Sequence, residues 1–153
     1  MNFTEKKKEF FERLGESCYM VLATSHNDYP LASMMTCLVF DDAIWMQTDK
    51  KFPKYDQILN NSQVALCKNA TQIEGIATFC GHPLDAGNEK FAQLLKKHHP
   101  ESYEMYSTVD SEVVIKVTPV KVIDWLYEKG DSRIYHLDFA NEKVDVQVYK
   151  NGK

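Results

Sequence analysis

The residues with the clearest chemical potential lie where an apolar stretch gives way to a run of lysines. The sequence IWMQTDKKFPKY, residues 44–55, ends its apolar part on Thr48 and then places Lys50, Lys51 and Lys54 at the predicted start of a helix. Because the start of a helix carries partial positive charge, cations are mildly unfavourable there unless an anion lies among them. Two interpretations follow: a phosphate-binding site, or a solvated surface cluster of lysines.

Other residue patterns that commonly mark enzymes do not occur in the sequence. G-x-S-x-G, the Walker loop, H-E-x-x-H and G-x-G-x-x-G are all missing. The histidines show no ligand spacing beyond the adjacent pair His98 and His99, so we predict no metal site. The four cysteines form no C-x-x-C pair and lie in apolar runs, which favours reduced core residues over catalytic thiols. They are Cys18, Cys37, Cys67 and Cys80.

The bulk composition is typical of one globular domain. A chain of 153 residues with 44% hydrophobic residues can build a single core, so we predict one domain over residues 1–153. A formal charge of -4 gives no general electrostatic reason to bind nucleic acid. No window approaches the roughly 18 apolar residues of a membrane span, and the N-terminus lacks the apolar centre of a signal peptide. We therefore expect a cytoplasmic protein that does not contact a membrane.

The hydropathy pattern predicts a mainly β protein with a few helices. Helical spacing of apolar residues occurs over 4–15, 50–61 and 85–98. Apolar runs rich in strand formers predict strands at 18–24, 31–40, 43–48, 64–67, 72–80, 112–117, 121–127, 133–138 and 143–149. So many successive short strands favour antiparallel pairing, and closing the sheet into a small barrel removes exposed edges.

The order of these segments resembles the FMN-binding split-barrel proteins of the pyridoxamine 5'-phosphate oxidase-like superfamily, in particular its short general-stress-protein branch. The likeness covers nearly the whole chain. It is carried by CYMVLAT, LASMMTCLVF, IWMQTDKKFPKYDQILNNSQVAL, QIEGIATFCG and VVIKVTPVKVIDWLY. The resemblance implies an antiparallel split β-barrel, with FMN bound in a groove at the interface of a homodimer.

The resemblance also implies which residues hold the cofactor. Thr48 matches a hydroxyl at the end of a strand, and Lys54 matches the phosphate lysine. Gln72 matches a glutamine that reaches the cofactor from the partner subunit, and Trp125 matches an aromatic position near the flavin, for which core packing is the alternative. The complete predicted set is Ser33, Met34, Met35, Thr36, Gln47, Thr48, Lys51, Lys54, Gln72 and Trp125.

Three positions depart from the pattern of the family. Met34 stands where a phosphate-binding arginine often occurs, and Phe52 and Pro53 replace the serine and arginine that precede the phosphate lysine. Each lost charge-assisted hydrogen bond is worth about 1.5 to 3 kcal/mol. We therefore expect reduced FMN affinity unless Lys50 or Lys51 substitutes.

Three functions are compatible with these features. The first is an FMN-dependent oxidoreductase that acts on a small-molecule substrate, in which the cofactor carries the redox chemistry. The second is a non-catalytic flavin or haem sensor that uses a histidine as haem ligand. The third is pyridoxamine phosphate oxidation itself, which the short chain and the unclear C-terminal substrate motif disfavour. Fold and cofactor do not determine the substrate.

Overall fold

Eight strands, four α-helices and a short 3-10 turn make up residues 1–150, the part of the chain that the computed structural model describes. The strands are β1 (Ser17–His26), β2 (Tyr29–Phe40), β3 (Ala43–Asp49), β4 (Gln63–Lys68), β5 (Thr71–Phe79), β6 (Glu112–Glu128), β7 (Asp131–Asp138) and β8 (Lys143–Tyr149). The helices are α1 (Phe3–Leu14), α2 (Pro53–Asn60), α3 (Glu89–His98) and α4 (Pro100–Tyr106), and the 3-10 turn covers Ala86–Asn88.

Six of the strands close into an antiparallel barrel. The sheet has the order β3-β2-β1-β4-β5-β6-β7-β8, and β3 pairs also with β6, so that β7 and β8 extend outward from the closed part. The predicted split barrel is thereby confirmed. The register between β3 and β6 runs from Ile44 opposite Val117 to Asp49 opposite Glu112. This closure brings the end of β3 beside the start of β6, although more than sixty residues separate them.

Two apolar clusters hold the barrel together. One contains Met20, Leu22 and Met46, with α1 packed against the same cluster through Phe10. In the other, α3 packs on the barrel with the face that the helical spacing predicted, which is buried against β2 and β6. That face consists of Phe91, Leu94 and Leu95.

The prediction that all four cysteines lie in the core is wrong for one of them. Cys18 and Cys37 are buried and Cys80 is half-buried, but Cys67 is exposed. The reason is the alternation of β4, in which Val64 and Leu66 point inward, so that Cys67 points outward.

The helix expected over 50–61 begins only at Pro53. Lys50 and Lys51 lie in a turn before it, in which the Asp49 carboxylate accepts a hydrogen bond from the backbone N–H of Lys51 at 2.9 Å. A proline fits the first turn of a helix but disfavours helical geometry at the residue before it, here Phe52. Consequently only Lys54 of the three lysines belongs to the helix.

The strands expected over 112–117 and 121–127 are one continuous strand, β6. The pattern appeared broken because Pro119 lies between them. This proline is opposite Gly75, next to an irregularity in the register at Glu74 and Gly75. Such a bulge is a position where a strand tolerates proline, because the regular ladder is already interrupted.

The short helix α4 was not predicted. It follows α3 after a break at His99 and has Pro100 in its first turn. None of its residues is fully buried, so it lacks the apolar periodicity by which a helix is recognised. No helix within residues 1–150 combines the length and the apolar character that crossing a membrane requires.

Candidate functional site

A cavity of about 300 Å³ lies where the middle of β2, the end of β3 and the start of β6 meet α2, α3 and α4. Its walls combine apolar side chains, among them Phe91 and Leu95 of α3, with hydroxyl, amide and charged groups. Six of the predicted cofactor residues line this cavity: Met34, Met35, Thr36, Gln47, Thr48 and Lys54. The structure therefore gathers residues from three separate segments of the chain into one site.

Lys54 is the lysine that reaches this cavity. The turn through Asp49 closes with a backbone hydrogen bond from Phe52 N–H to the Asp49 carbonyl at 3.0 Å, and Pro53 then starts α2. The Lys54 ammonium lies 5.3 Å from the centroid of the Phe52 ring. Burial lowers the pKa of Lys54, and the nearby charge of Glu112 acts in the opposite direction. This partial desolvation strengthens the attraction of the ammonium for an anion.

Thr48 carries a buried hydroxyl without a partner. The residue is only 4% exposed, and its Oγ1 has no hydrogen-bond partner among the described residues. Leaving a buried hydroxyl unpaired costs about 1 to 3 kcal/mol, so such groups are uncommon in folded proteins. Thr48 also belongs to the residues that line the cavity.

Glu112 brings a buried carboxyl group to the same cavity, which the sequence analysis did not predict. It is 6% exposed and begins β6, opposite Asp49. Burial, and secondarily the charge of Asp49, raise the pKa of Glu112 to about 7, while His82 and Lys54 act against the rise. The pKa of Asp49 is instead lowered, first by the hydrogen bond from the backbone N–H of Lys51. The site thus holds two carboxyl groups of different proton affinity.

The helix α4 supplies a further wall of the cavity. Ser102 and Tyr106 line it, and Ser107 donates a hydrogen bond to the side-chain oxygen of Gln47 at 3.1 Å. Ser107 is completely buried. This bond fixes the amide of Gln47 at the edge of the site. Sequence reasoning missed these residues because it missed the helix that carries them.

Four predicted residues lie outside the cavity. Ser33 contacts the sulfur of Met35 at 3.7 Å, and Lys51 is exposed in the turn before α2. Gln72 and Trp125 line a separate depression of about 250 Å³ on the outer side of β5 and β6. Their contact with a cofactor bound in the cavity stays a prediction, and it requires a second subunit.

No group of three or more His, Cys, Asp and Glu side chains within residues 1–150 has the arrangement of a metal site.

Burial raises the pKa of the Cys37 thiol to about 12. A thiol with so high a pKa is a poor nucleophile at neutral pH.

Residues 3–126 match the sequence model of the pyridoxamine 5'-phosphate oxidase family. The chain therefore belongs to this family, as the order of its segments predicted. Comparison with curated protein sequences gave no significant match.

Solved structures share the fold at low sequence identity. General stress protein 26 from Bacillus anthracis is 22% identical, with a TM-score of 0.58 over 77% of this chain and 92% of that one. A pyridoxamine 5'-phosphate oxidase-related, FMN-binding protein from Nostoc punctiforme is 14% identical, with a TM-score of 0.58 over 97% and 95%. The haem storage protein HutZ from Vibrio cholerae is 12% identical, with a TM-score of 0.60 over 78% and 91%.

Proposed function

We propose that this protein is an FMN-binding oxidoreductase whose cavity holds the phosphate end of the cofactor. The observation that carries the proposal is that Thr48, whose buried hydroxyl has no partner among the described residues, lines the same cavity as Lys54, whose ammonium is partly desolvated. Phosphate oxygens accept hydrogen bonds from hydroxyl groups and, more strongly, from cations. A structural neighbour described as FMN-binding supports the same choice of ligand.

The residues that would hold FMN follow from the cavity. Thr48 and Lys54 are assigned to the phosphate, and Thr36 and Gln47 offer further polar contacts along the walls. Bound FMN supplies hydride and electron transfer, so the protein need not contribute an acid-base catalyst. The role of this chain is to bind the cofactor, to orient it and to leave access for a small-molecule substrate.

The proposal includes a homodimer, and the exposed apolar side chains at the rim of the cavity favour it. Met34, Phe52 and Tyr106 line the cavity and are 65%, 53% and 48% exposed. Large apolar side chains clustered at one opening are typical of a surface that another chain covers. In a homodimer, Gln72 and Trp125 of the partner subunit would then approach the cofactor.

Haem binding has less support from the described residues. None of the histidines within residues 1–150 lines the cavity. Both ring nitrogens of His82 are engaged, with the carbonyl of Val109 at 2.8 Å and the backbone N–H of Leu84 at 3.1 Å. His99 contacts the Ser17 hydroxyl at 2.6 Å. The fold likeness to HutZ is therefore not accompanied by a free histidine in the candidate site.

Binding of FMN is tested by the absorbance of the purified protein and by fluorescence titration with FMN and riboflavin. The substitution Lys54→Met should weaken FMN binding by about tenfold or more, because it removes one charge-assisted contact. Riboflavin has no phosphate, so its affinity for the variant should be close to its affinity for the wild-type protein. Lys50→Met is the matched control, since Lys50 is exposed in the turn and does not line the cavity.

Two results would contradict the proposal. The first is a colourless protein that gains no FMN on titration, and the second is equal FMN affinity of the Lys54→Met variant and the wild-type protein. Equal losses for the two lysine variants would indicate general surface electrostatics in place of a specific phosphate contact.

A further inference from the structure

Among residues 1–150, Glu112 differs from the other buried acidic residue, Asp124, in having no salt bridge. Asp124 is completely buried, but it pairs with Arg13 and accepts a hydrogen bond from Thr71 at 2.7 Å. The carboxyl group of Glu112 forms no ion pair within residues 1–150, although Lys54 lines the same cavity. A buried carboxylate without a partner is costly, so a neutral carboxylic acid is the more stable form in such a site.

The groups around Glu112 come from four elements. Asp49 lies opposite it at the end of β3, Lys54 approaches from α2, and His82 belongs to the segment after β5. Tyr106 of α4 adds a neutral phenol to the cavity wall. With both acids ionised, two negative charges would therefore face Lys54, the one lysine among the described residues that line the cavity.

A phosphate dianion would be repelled by that arrangement. Asp49 stays ionised because the turn before α2 donates the Lys51 N–H to its carboxylate. Within residues 1–150, Glu112 accepts no hydrogen bond of this kind, and it is buried, so it is the group that can hold a proton at neutral pH. As a neutral acid it changes from a repelling charge into a hydrogen-bond donor.

We propose that Glu112 contacts the phosphate of the cofactor as a neutral carboxylic acid, so that the protein takes up about one proton on Glu112 when it binds FMN above neutral pH. This inference rests on the proposed function, because it concerns the same cavity. Protonation of Glu112 makes FMN binding dependent on pH, and at low pH it favours phosphorylated over unphosphorylated flavin. The proton comes from solvent, and no covalent bond is formed or broken apart from the O–H bond of the acid.

The direction of the pH effect follows from linkage. Only the protonated form of Glu112 accommodates the phosphate, and this form is lost as the pH rises through about 7. FMN affinity of the wild-type protein should therefore fall by about tenfold between pH 6 and pH 8, while riboflavin affinity changes little. Calorimetry at pH 8 in two buffers with different ionisation enthalpies should show uptake of close to one proton per FMN.

The variant Glu112→Gln separates this group from the titration of FMN itself. The amide keeps a hydrogen-bond donor and cannot ionise. The fall of FMN affinity with rising pH that Glu112 causes should therefore be absent in this variant. The second ionisation of the FMN phosphate, near pH 6, affects both proteins equally, and the difference between their pH profiles reports Glu112 alone. Asp49→Asn is the second variant. Because the charge of Asp49 raises the pKa of Glu112, its removal should shift the wild-type profile to lower pH.

The outcomes distinguish this inference from the proposed function. If the wild-type protein binds FMN with the same affinity at pH 6 and pH 8, or if Glu112→Gln keeps the wild-type profile, the inference is overturned and FMN binding stands. If neither wild type nor Glu112→Gln binds FMN at any pH, both are overturned. A profile that is steep in the wild type, flat in Glu112→Gln and shifted in Asp49→Asn supports the inference.

Discussion

At the scale of single residues, Thr48 shows how binding and stability can oppose each other. Its hydroxyl is buried and unpaired within the described chain, so the folded protein bears the desolvation cost without a compensating bond. The cost is recovered only if a ligand supplies the partner. Polar groups left unsatisfied in a native structure are often functional for this reason.

Thr48→Val should therefore have opposite effects on the two properties. Valine has nearly the shape of threonine without the hydroxyl, so the free energy of unfolding without ligand should stay equal or rise by about 1 kcal/mol. FMN binding should weaken by about tenfold or more, because a hydrogen bond to a charged group is lost. Urea unfolding and FMN titration measure the two quantities. Thr78→Val, at an exposed position of β5, is the control and should leave FMN affinity unchanged.

A lower stability of Thr48→Val in the absence of ligand would contradict this account. It would show that the hydroxyl has a partner within the protein, and the assignment of Thr48 to the phosphate would lose its main support.

At the scale of elements, the close pairing of β5 with β6 depends on Gly75. A Cβ atom at this position would lie 2.6 Å from a methyl group of Val117 and 2.9 Å from the carbonyl oxygen of Thr118. Contact with the backbone oxygen cannot be relieved by a change of rotamer. The bulge at Gly75 and the proline opposite it, Pro119, thus form one unit that lets the long strand β6 serve both the barrel and the outer strands.

Gly75→Ala should lower the free energy of unfolding by about 1 to 3 kcal/mol, the usual effect of overpacking a close contact. The urea midpoint of the protein measures the change. Gly87→Ala is the matched control, since a Cβ there meets no atom of the described residues within 4 Å and its φ is not positive. Equal midpoints for the two variants would show that the barrel tolerates a wider separation of β5 and β6 than the structure has.

The same elements show what the sequence could predict. Alternation of apolar residues was sufficient for β1 to β5 and β7, because one face of each strand is covered by the core or by a neighbouring element. The strand β8 alternates in the same way, although nearly all of its residues are exposed. The start of α2 was missed because it depends on Pro53, which follows the turn at Asp49. The continuity of β6 was missed because Pro119 is tolerated only at the bulge opposite Gly75. Glu112 could not be recognised as a site residue, because its contact with the cavity arises from the closure of β3 on β6.

At the scale of the whole molecule, the predicted cofactor residues divide into two groups. Lys54 and Thr48 line the cavity, whereas Gln72 and Trp125 line a depression that shares no residue with it. A single chain therefore does not unite the set that the family resemblance implies. In the proposed homodimer each complete site takes Lys54 from one subunit and Gln72 from the other.

This arrangement can be tested by mixing two defective chains. Lys54→Ala and Gln72→Ala variants should each bind FMN weakly. When they are denatured together and refolded, the mixed dimers should contain one site with both Lys54 and Gln72 intact and one site with neither. Titration should then show recovery of tight FMN binding in about one quarter of all sites, because half of the dimers are mixed by random pairing and half of their sites are complete.

Refolding the double variant with wild-type chains is the control. Its mixed dimers contain no complete site, so only the wild-type dimers should bind FMN tightly. Absence of any recovery in the first mixture, with sedimentation showing that dimers form, would contradict a site shared between subunits, and wild-type FMN affinity of Gln72→Ala alone would place Gln72 outside the cofactor site.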